Sequence, residues 1–252
     1  MKLYQYTTIE ALSLILKHKT IRFSRLDTVD DPDEYQYEKD GINPSKYVFV
    51  SCWSKVVEEC IPMWRMYANN GRGVRIGLDS EMFEMKYSKG YPYFFDVQYF
   101  LDKDFFMTPL MRNQQPYYPL YDIQYVSETR SVLDKIFKMT NGGINLDFKE
   151  LAKYKSKDWQ FQREVRFIIN LFPKQKFSDK VYNFRKAIPE GVSVDERHVD
   201  IPIKDSVFMS MEVVLGPEAS EADESIVESL MFNYLGRRDC GMSKYRNNES
   251  SQ

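Results

Sequence analysis

The run Trp159-Gln160-Phe161-Gln162-Arg163-Glu164-Val165-Arg166 constrains the fold of this chain more than any other segment. It leads into Val165, Phe167, Ile169 and Leu171, an alternation that predicts a strand with one apolar face. Period two then sets Gln162, Glu164 and Arg166 together on the opposite face. A Gln-x-Glu pair at the start of a strand holds one carboxylate beside one amide. The carboxylate can stabilise a developing positive charge, and the amide can orient a nucleophile. Chemistry at the anomeric carbon of a sugar uses that combination, because its transition state resembles an oxocarbenium ion. The same pattern also describes a solvated strand face carrying a Glu–Arg pair.

At 252 residues and 43% apolar content, the chain can build a substantial core, as one large domain or two small ones. Its charges are mixed in sign and sum to only -2, so no basic stripe marks a nucleic-acid footprint. Cys52, Cys60 and Cys240 form no Cys-x-x-Cys, which fits a reducing cytoplasm better than a disulfide scaffold. His18 and His198 lie far apart without ligand spacing, so no metal site is assigned, and a Cys–His nucleophile pair stays as an alternative. No apolar run approaches the roughly 20 residues of a membrane span, and Thr7, Thr8 and Glu10 interrupt any signal-peptide core. A cytoplasmic chain with no membrane partner is expected.

Leu3 to Tyr6 predicts a strand, followed by a capping box with Thr7 as N-cap and Glu10 reaching back. Ile9, Leu12, Ile15 and Leu16 form a helical stripe, and Ile21 to Ser24 a second strand. Asp30-Asp31-Pro32-Asp33-Glu34 reads as a helix-breaking turn, either solvated or a hard-cation site. Tyr47 to Ser51 predicts a strand ended by Ser51-Cys52-Trp53-Ser54, then a short helix from Pro62 through Met63, Trp64 and Tyr67. Val74, Ile76 and Leu78 alternate as another strand. Phe95–Tyr99 and Tyr121–Tyr125 are strand candidates flanking a loop from Asp104 to Pro119. Helices are expected over Ser131 to Thr140 and, capped by Asn145, through Leu151 towards Trp159. Residues 173 to 200 read as a polar loop, Met211 to Leu215 as a strand closed by Gly216-Pro217, and Ser220 as the cap of a last helix.

Strands and helices mix without a βαβ rhythm, and no phosphate-loop or dinucleotide glycine motif occurs. The expected fold class is α+β, a mixed or antiparallel sheet core with flanking helices in a single domain over residues 1–246, with 247–252 as a disordered tail.

The ordered set Leu3-Tyr4-Gln5-Tyr6-Thr7, Asp31-Pro32-Asp33-Glu34, Met63 to Ala68, Gly73 to Asp79, Trp159 to Arg166 and Leu215-Gly216-Pro217 resembles a widespread bacterial family catalogued as a domain of unknown function. The resemblance covers about residues 3 to 220. That family's architecture in turn is similar to the ADP-ribosyltransferases. The similarity implies Glu164 as the catalytic glutamate, which binds a ribose hydroxyl and stabilises the oxocarbenium ion as nicotinamide departs, with Gln162 orienting the acceptor. It implies NAD as substrate, bound by Gln5, Tyr6, Thr7, Ser51, Ser54, Trp64, Tyr67 and Arg166. Ser51 or Ser54 would lie near the nicotinamide-side ribose, and Trp64 or Tyr67 would stack. It further implies a toxin or phage-defence effector, a protein or nucleic-acid acceptor, and an inhibitor or antitoxin partner. Gln5 stands where many such enzymes place His or Arg, and Gln162 where the family has a first glutamate.

Other readings stand beside it. A non-catalytic binding module could use the same scaffold, and the acidic turn would suit a metal-dependent nuclease. Core packing explains Met63 to Tyr67, and strand-end hydrogen bonding explains Ser51 and Ser54. Arg22, Arg72 and Arg75 are candidates to approach a diphosphate.

Overall fold

The computed structural model describes residues 1–35, 37–38, 41–84, 88–91, 94–96, 105–107, 110–112, 115–140, 143–145, 148–173 and 193–246. Strand β1 (Lys2–Thr7) leads into helix α1 (Ile9–His18) and strand β2 (Thr20–Arg25). A single helical turn α2 (Pro32–Tyr35), β3 (Val48–Ser54), α3 (Ile61–Tyr67) and β4 (Val74–Asp79) follow. The middle of the chain forms short strands: β5 (Ser88–Tyr91), β6 (Phe94–Asp96), β7 (Phe105–Met107), β8 (Leu110–Arg112), β9 (Gln115–Tyr117), β10 (Leu120–Asp122) and β11 (Gln124–Val126). Next come α4 (Thr129–Ile136), the hairpin β12 (Lys138–Thr140) and β13 (Gly143–Asn145), α5 (Phe148–Leu151), β14 (Tyr154–Ser156) and the long β15 (Glu164–Pro173). The chain closes with β16 (His198–Pro202), α6 (Asp205–Met209), β17 (Glu212–Leu215), α7 (Glu221–Leu235) and β18 (Gly241–Met242).

The result is a single mixed α+β fold around a large sheet. Its strands run in the order β18-β17-β4-β1-β3-β15-β7-β6-β5, with β10 also on β15 and β2 joining β16 to β3. Two stretches of this sheet are fully zipped. β1 pairs β4 at six positions, from Lys2↔Asp79 to Thr7↔Val74. β3 pairs β15 at seven, from Glu164↔Ser54 to Asn170↔Val48. Between the two stretches the register is a single pair, Tyr4↔Ser54. The same edge of β3 meets β2 only at Val50 and Phe49. Ser51, Cys52 and Trp53 therefore have no partner strand on that edge among the described residues, and the sheet is split there.

The alternation in β15 holds: Val165, Phe167, Ile169 and Leu171 all lie in the larger hydrophobic cluster, with Leu3, Leu12, Leu16 and Phe23. Burial of that kind contributes roughly 1.5–3 kcal/mol per side chain. The opposite face is not solvated. Ile168 sits in a second cluster with Leu26, Leu133, Phe137 and Leu151. Side chains from helices α4 and α5 pack over that face, and Glu164 and Arg166 are only 7% and 0% exposed.

Several boundaries differ from the sequence expectation. Thr7 stays in the β1 ladder opposite Val74, so the N-cap of α1 is Thr8, whose hydroxyl accepts from the Ala11 N–H at 3.1 Å. Ser51 to Ser54 continue β3 rather than ending it, because β15 pairs along their whole length. Pro32 does not break a helix but opens α2, where its missing N–H costs nothing, and the Asp31 carboxylate accepts from the Asp33 N–H at 3.0 Å. The stretch Asp104 to Pro119 contributes β7 to the edge of β15 instead of forming only a loop. Helix α4 ends at Ile136, and Lys138–Thr140 turn into a hairpin with Gly143–Asn145, so Asn145 is a strand residue and not a cap. Residues 157–162 form a 3₁₀ turn in place of a helix running to Trp159. His198–Pro202 pairs with β2 rather than lying in a loop; residues 174–192, the stretch Val97–Tyr99 and the tail 247–252 lie outside the described residues. The last helix has its expected cap, a reciprocal Ser220/Asp223 box.

Gly216 makes a close backbone approach. A Cβ there would sit 2.1 Å from the Gly71 carbonyl oxygen, and its N–H donates to the Gly73 carbonyl at 2.9 Å. This ties the loop before β4 to the end of β17.

Candidate functional site: a charged cleft at the split in the sheet

The split opens into a cleft of about 480 Å³. One wall is the flank of α1 with Ala11, Leu14 and Ile15. The other is charged, with Asp30, Lys155, Gln162, Glu164 and Arg166, while Gln5, Ser51, Cys52 and Tyr67 line it between the strands. Of the residues nominated from sequence, Gln5, Tyr6, Thr7, Ser51, Tyr67, Gln162, Glu164 and Arg166 all line this one space.

Two nominated residues do not. Trp64 is fully buried in a small cluster with Tyr6 and Ala68. Its indole meets the Tyr6 ring edge-on at 4.9 Å and donates to a Glu59 carboxylate oxygen at 2.9 Å. Ser54 faces a neighbouring hollow, and its hydroxyl accepts from the Val56 N–H at 3.2 Å, a strand-end bond. The Ser51 hydroxyl accepts from the Trp53 indole N–H at 2.9 Å. Among the arginines, Arg22 lines the cleft and grips Asp200 with two bonds of 2.9 and 3.1 Å. Arg72 instead grips Asp223, and Arg75 lies over the Tyr4 ring.

Glu164 is held by two cations. Its Oε1 accepts from Arg166 Nε, and its Oε2 from Lys155 Nζ at 3.2 Å and Arg166 Nη2 at 3.3 Å. Its backbone N–H donates to the Tyr125 hydroxyl at 2.8 Å. Burial alone would raise its pKa, but the Arg166 and Lys155 charges overcome that and hold it down at about 2. Three N–H contacts from Arg166 and Lys155 reach this carboxylate, and the Cys52 thiol also donates to it.

Arg166 reaches past Glu164 to a second buried carboxylate. Its Nη1 donates to Glu34 Oε2 at 3.0 Å and to the Ala152 carbonyl at 3.2 Å. Burial pushes Glu34 up to about 7 against the pull of Arg166 and Lys155. Glu34 and Asp31 are each 1% exposed. The acidic turn is therefore solvated only in part: Asp30, Pro32 and Asp33 are exposed, while a backbone N–H at Asp31 and the Arg166 guanidinium at Glu34 offset part of the cost of burying the other two. Among the described residues there is no grouping of three His, Cys, Asp or Glu side chains that could hold a metal ion.

Gln162 is fixed at both ends of its amide. Lys155 can only donate, so Oε1 faces its Nζ, at 2.8 Å, and Nε2 donates to the Tyr67 hydroxyl at 2.6 Å. Tyr67 in turn donates to Asp30 Oδ2, and Lys155 Nζ lies 3.5 Å from Asp30 Oδ1. Asp30, Tyr67, Gln162 and Lys155 thus form a closed ring. Burial, then Asp30, raises the Tyr67 pKa, so its hydroxyl stays a donor. Gln5 donates its amide N–H to the Cys52 carbonyl at 2.9 Å, bridging the split where the ladder is interrupted. Cys52 and His18 both line the cleft, but burial and the Glu164 charge push the thiol well up, which disfavours a thiolate nucleophile.

Lys155 and Tyr125 were not nominated from sequence, and Glu34 was nominated only as part of a candidate hard-cation turn, not as a partner of Arg166. A single lysine in Tyr154-Lys155-Ser156 carries no motif, and its partners lie in distant segments.

Residues 63–167 match the model of a family described as a protein of unknown function, DUF2971. The matched segment runs from α3 to the third residue after Glu164 and contains Tyr67, Lys155, Gln162 and Arg166. No curated protein matches the chain. No solved structure matches it either. Among the described residues no helix is long and apolar enough to cross a membrane.

Proposed function

We propose that the cleft binds NAD and cleaves its nicotinamide–ribose bond, transferring ADP-ribose to an acceptor, as a toxin or phage-defence effector would. The observation that carries this reading is Glu164, an ionised carboxylate on the wall of the cleft, fixed by Arg166 and Lys155. A carboxylate held down at about 2 is a fixed negative charge across the neutral range, not a general acid. It suits a ribose hydroxyl and the positive charge that grows on C1′ as neutral nicotinamide leaves with the bonding electrons. Preorganisation by two cations means little reorientation is needed in the transition state. Arg22 at the cleft wall offers a guanidinium to the diphosphate, and Tyr67 a ring face.

The test is nicotinamide release from labelled NAD, with wild type and Glu164→Gln side by side. Removing one preorganised electrostatic group costs about 10²–10³ in turnover. Equal release by both would sink the reading.

A non-catalytic nucleotide-binding module has one observation in its favour. The Gln5 amide, on the first strand, is already engaged by the Cys52 carbonyl. That reading predicts NAD binding without release, in wild type and variant alike.

A further inference from the structure

We infer that Asp30 is the general base of this site and that the group it deprotonates is an oxygen nucleophile, either water or a hydroxyl. The inference rests on the NAD reading above. Three carboxylates line the cleft, Asp30, Glu164 and Asp200. Glu164 is enclosed, its side chain 6% exposed. Asp200 is held bidentately by Arg22. Asp30 is 39% exposed, with one contact to each oxygen, the Tyr67 hydroxyl on Oδ2 and Lys155 on Oδ1. Each oxygen keeps a lone pair that a nucleophile in the cleft can reach.

The ring of side chains also selects the nucleophile. Gln162, aimed by Lys155 and Tyr67, carries a second N–H on Nε2 beside the Tyr67–Asp30 pair. A group placed there meets one donor and one carboxylate acceptor. Oxygen in O–H can accept from the amide and donate to Asp30 at once. A guanidinium or ammonium offers donors only and would leave the amide N–H facing another donor. In the transfer step the O–C1′ bond forms and the C1′–N bond breaks. Nicotinamide leaves neutral with the electron pair, and the O–H proton passes to the Asp30 carboxylate. Glu164 and Asp30 thus divide the work, one stabilising charge and the other moving a proton.

The test uses the full chain with NAD. Asp30→Ala should bind NAD as wild type does by calorimetry but release nicotinamide 10²–10⁴-fold more slowly. Azide, a nucleophile with no proton to lose, should restore release by Asp30→Ala at least tenfold and form ADP-ribosyl azide, while leaving Glu164→Gln slow. Tyr67→Phe, which keeps Asp30 but removes the hydroxyl aiming it, should slow release with binding retained, and it stands in if Asp30→Ala does not fold. Free ADP-ribose as product identifies water as the acceptor, and a labelled hydroxyl adduct identifies a macromolecular one. If wild type releases nicotinamide and Asp30→Ala keeps pace, or is slow and unmoved by azide, the base assignment is wrong. The same holds if Tyr67→Phe matches wild type. If wild type releases none, the NAD reading has failed and the base assignment falls with it.

Discussion

Replacing Arg166 with methionine tests the buried charge arrangement most directly. Arg166 is fully buried and donates to Glu164 twice, to Glu34 once and to the Ala152 carbonyl. Methionine fills much of the volume but none of the bonds. Removing one partner of a buried ion pair costs about 3–5 kcal/mol, because the other charge stays buried without compensation. Two facts lower this figure here. Lys155 still pairs with Glu164 at 3.2 Å, and Glu34 already titrates at about 7, so it can take up a proton. A loss of about 3 kcal/mol at neutral pH follows, or roughly 6–12 °C in Tm for a chain of this size. The assay is urea unfolding of wild type and Arg166→Met at pH 5 and pH 8. The penalty should be smaller at pH 5, where Glu34 is protonated in both proteins, and larger at pH 8. Adding Glu164→Gln to Arg166→Met should cost less than the sum of the two single changes, since the pair is in contact. A penalty below about 1 kcal/mol, or one independent of pH, would refute the reasoning.

Glu34→Gln should change the pH profile in a predictable sense. The folded-state pKa of Glu34 is raised from 4.5 to about 7, so its contribution is fully present below 4.5 and is lost as pH rises to 7. That difference is about 3 kcal/mol at 1.36 kcal/mol per pKa unit. Unfolding midpoints between pH 5 and 7.5 should fall for wild type and stay level for the variant; parallel profiles would contradict it. The Glu164 contribution lies elsewhere, present above 4.5 and lost as pH falls towards 2. Gly216→Ala should destabilise by about 1–3 kcal/mol, since its Cβ meets a backbone carbonyl that a side-chain rotation cannot clear. It should leave NAD affinity unchanged, which calorimetry can check.

Much of the local structure was legible in the sequence. The period-two run from Val165 to Leu171 gave its strand, the apolar stripe gave α1, and the stripe with the Ser220 cap gave α7. The spacing of Gln162, Glu164 and Arg166 placed them together, although Gln162 arrives there from a 3₁₀ turn, with Arg163 in the left-handed region at φ 46°, and not from the strand itself. Burial of the second face was not legible. Hydrophobic period reports one face, and here the other is covered by segments from residues 120 to 152 whose own patterns are short and weak. The acidic turn was misread for the same reason at Asp31 and Glu34, which are buried, while Asp30 and Asp33 are exposed as a solvated turn requires. Four carboxylates within five residues look solvated until an arginine 132 positions away reaches them. Tyr67 and Trp64 sit on one short helix, and only tertiary context sends Tyr67 to the cleft and Trp64 to the core.

The single register pair between β1 and β3 has a thermodynamic consequence. A sheet that zipped fully across Ser51 to Trp53 would gain ladder hydrogen bonds and close the cleft. The space for a ligand is therefore maintained against the sheet's own tendency to anneal, by side chains such as Gln5 that occupy the interrupted edge. Substitutions that promote annealing would yield a protein that melts higher and binds less. Selection of this chain for thermal resistance alone should erode the cleft first.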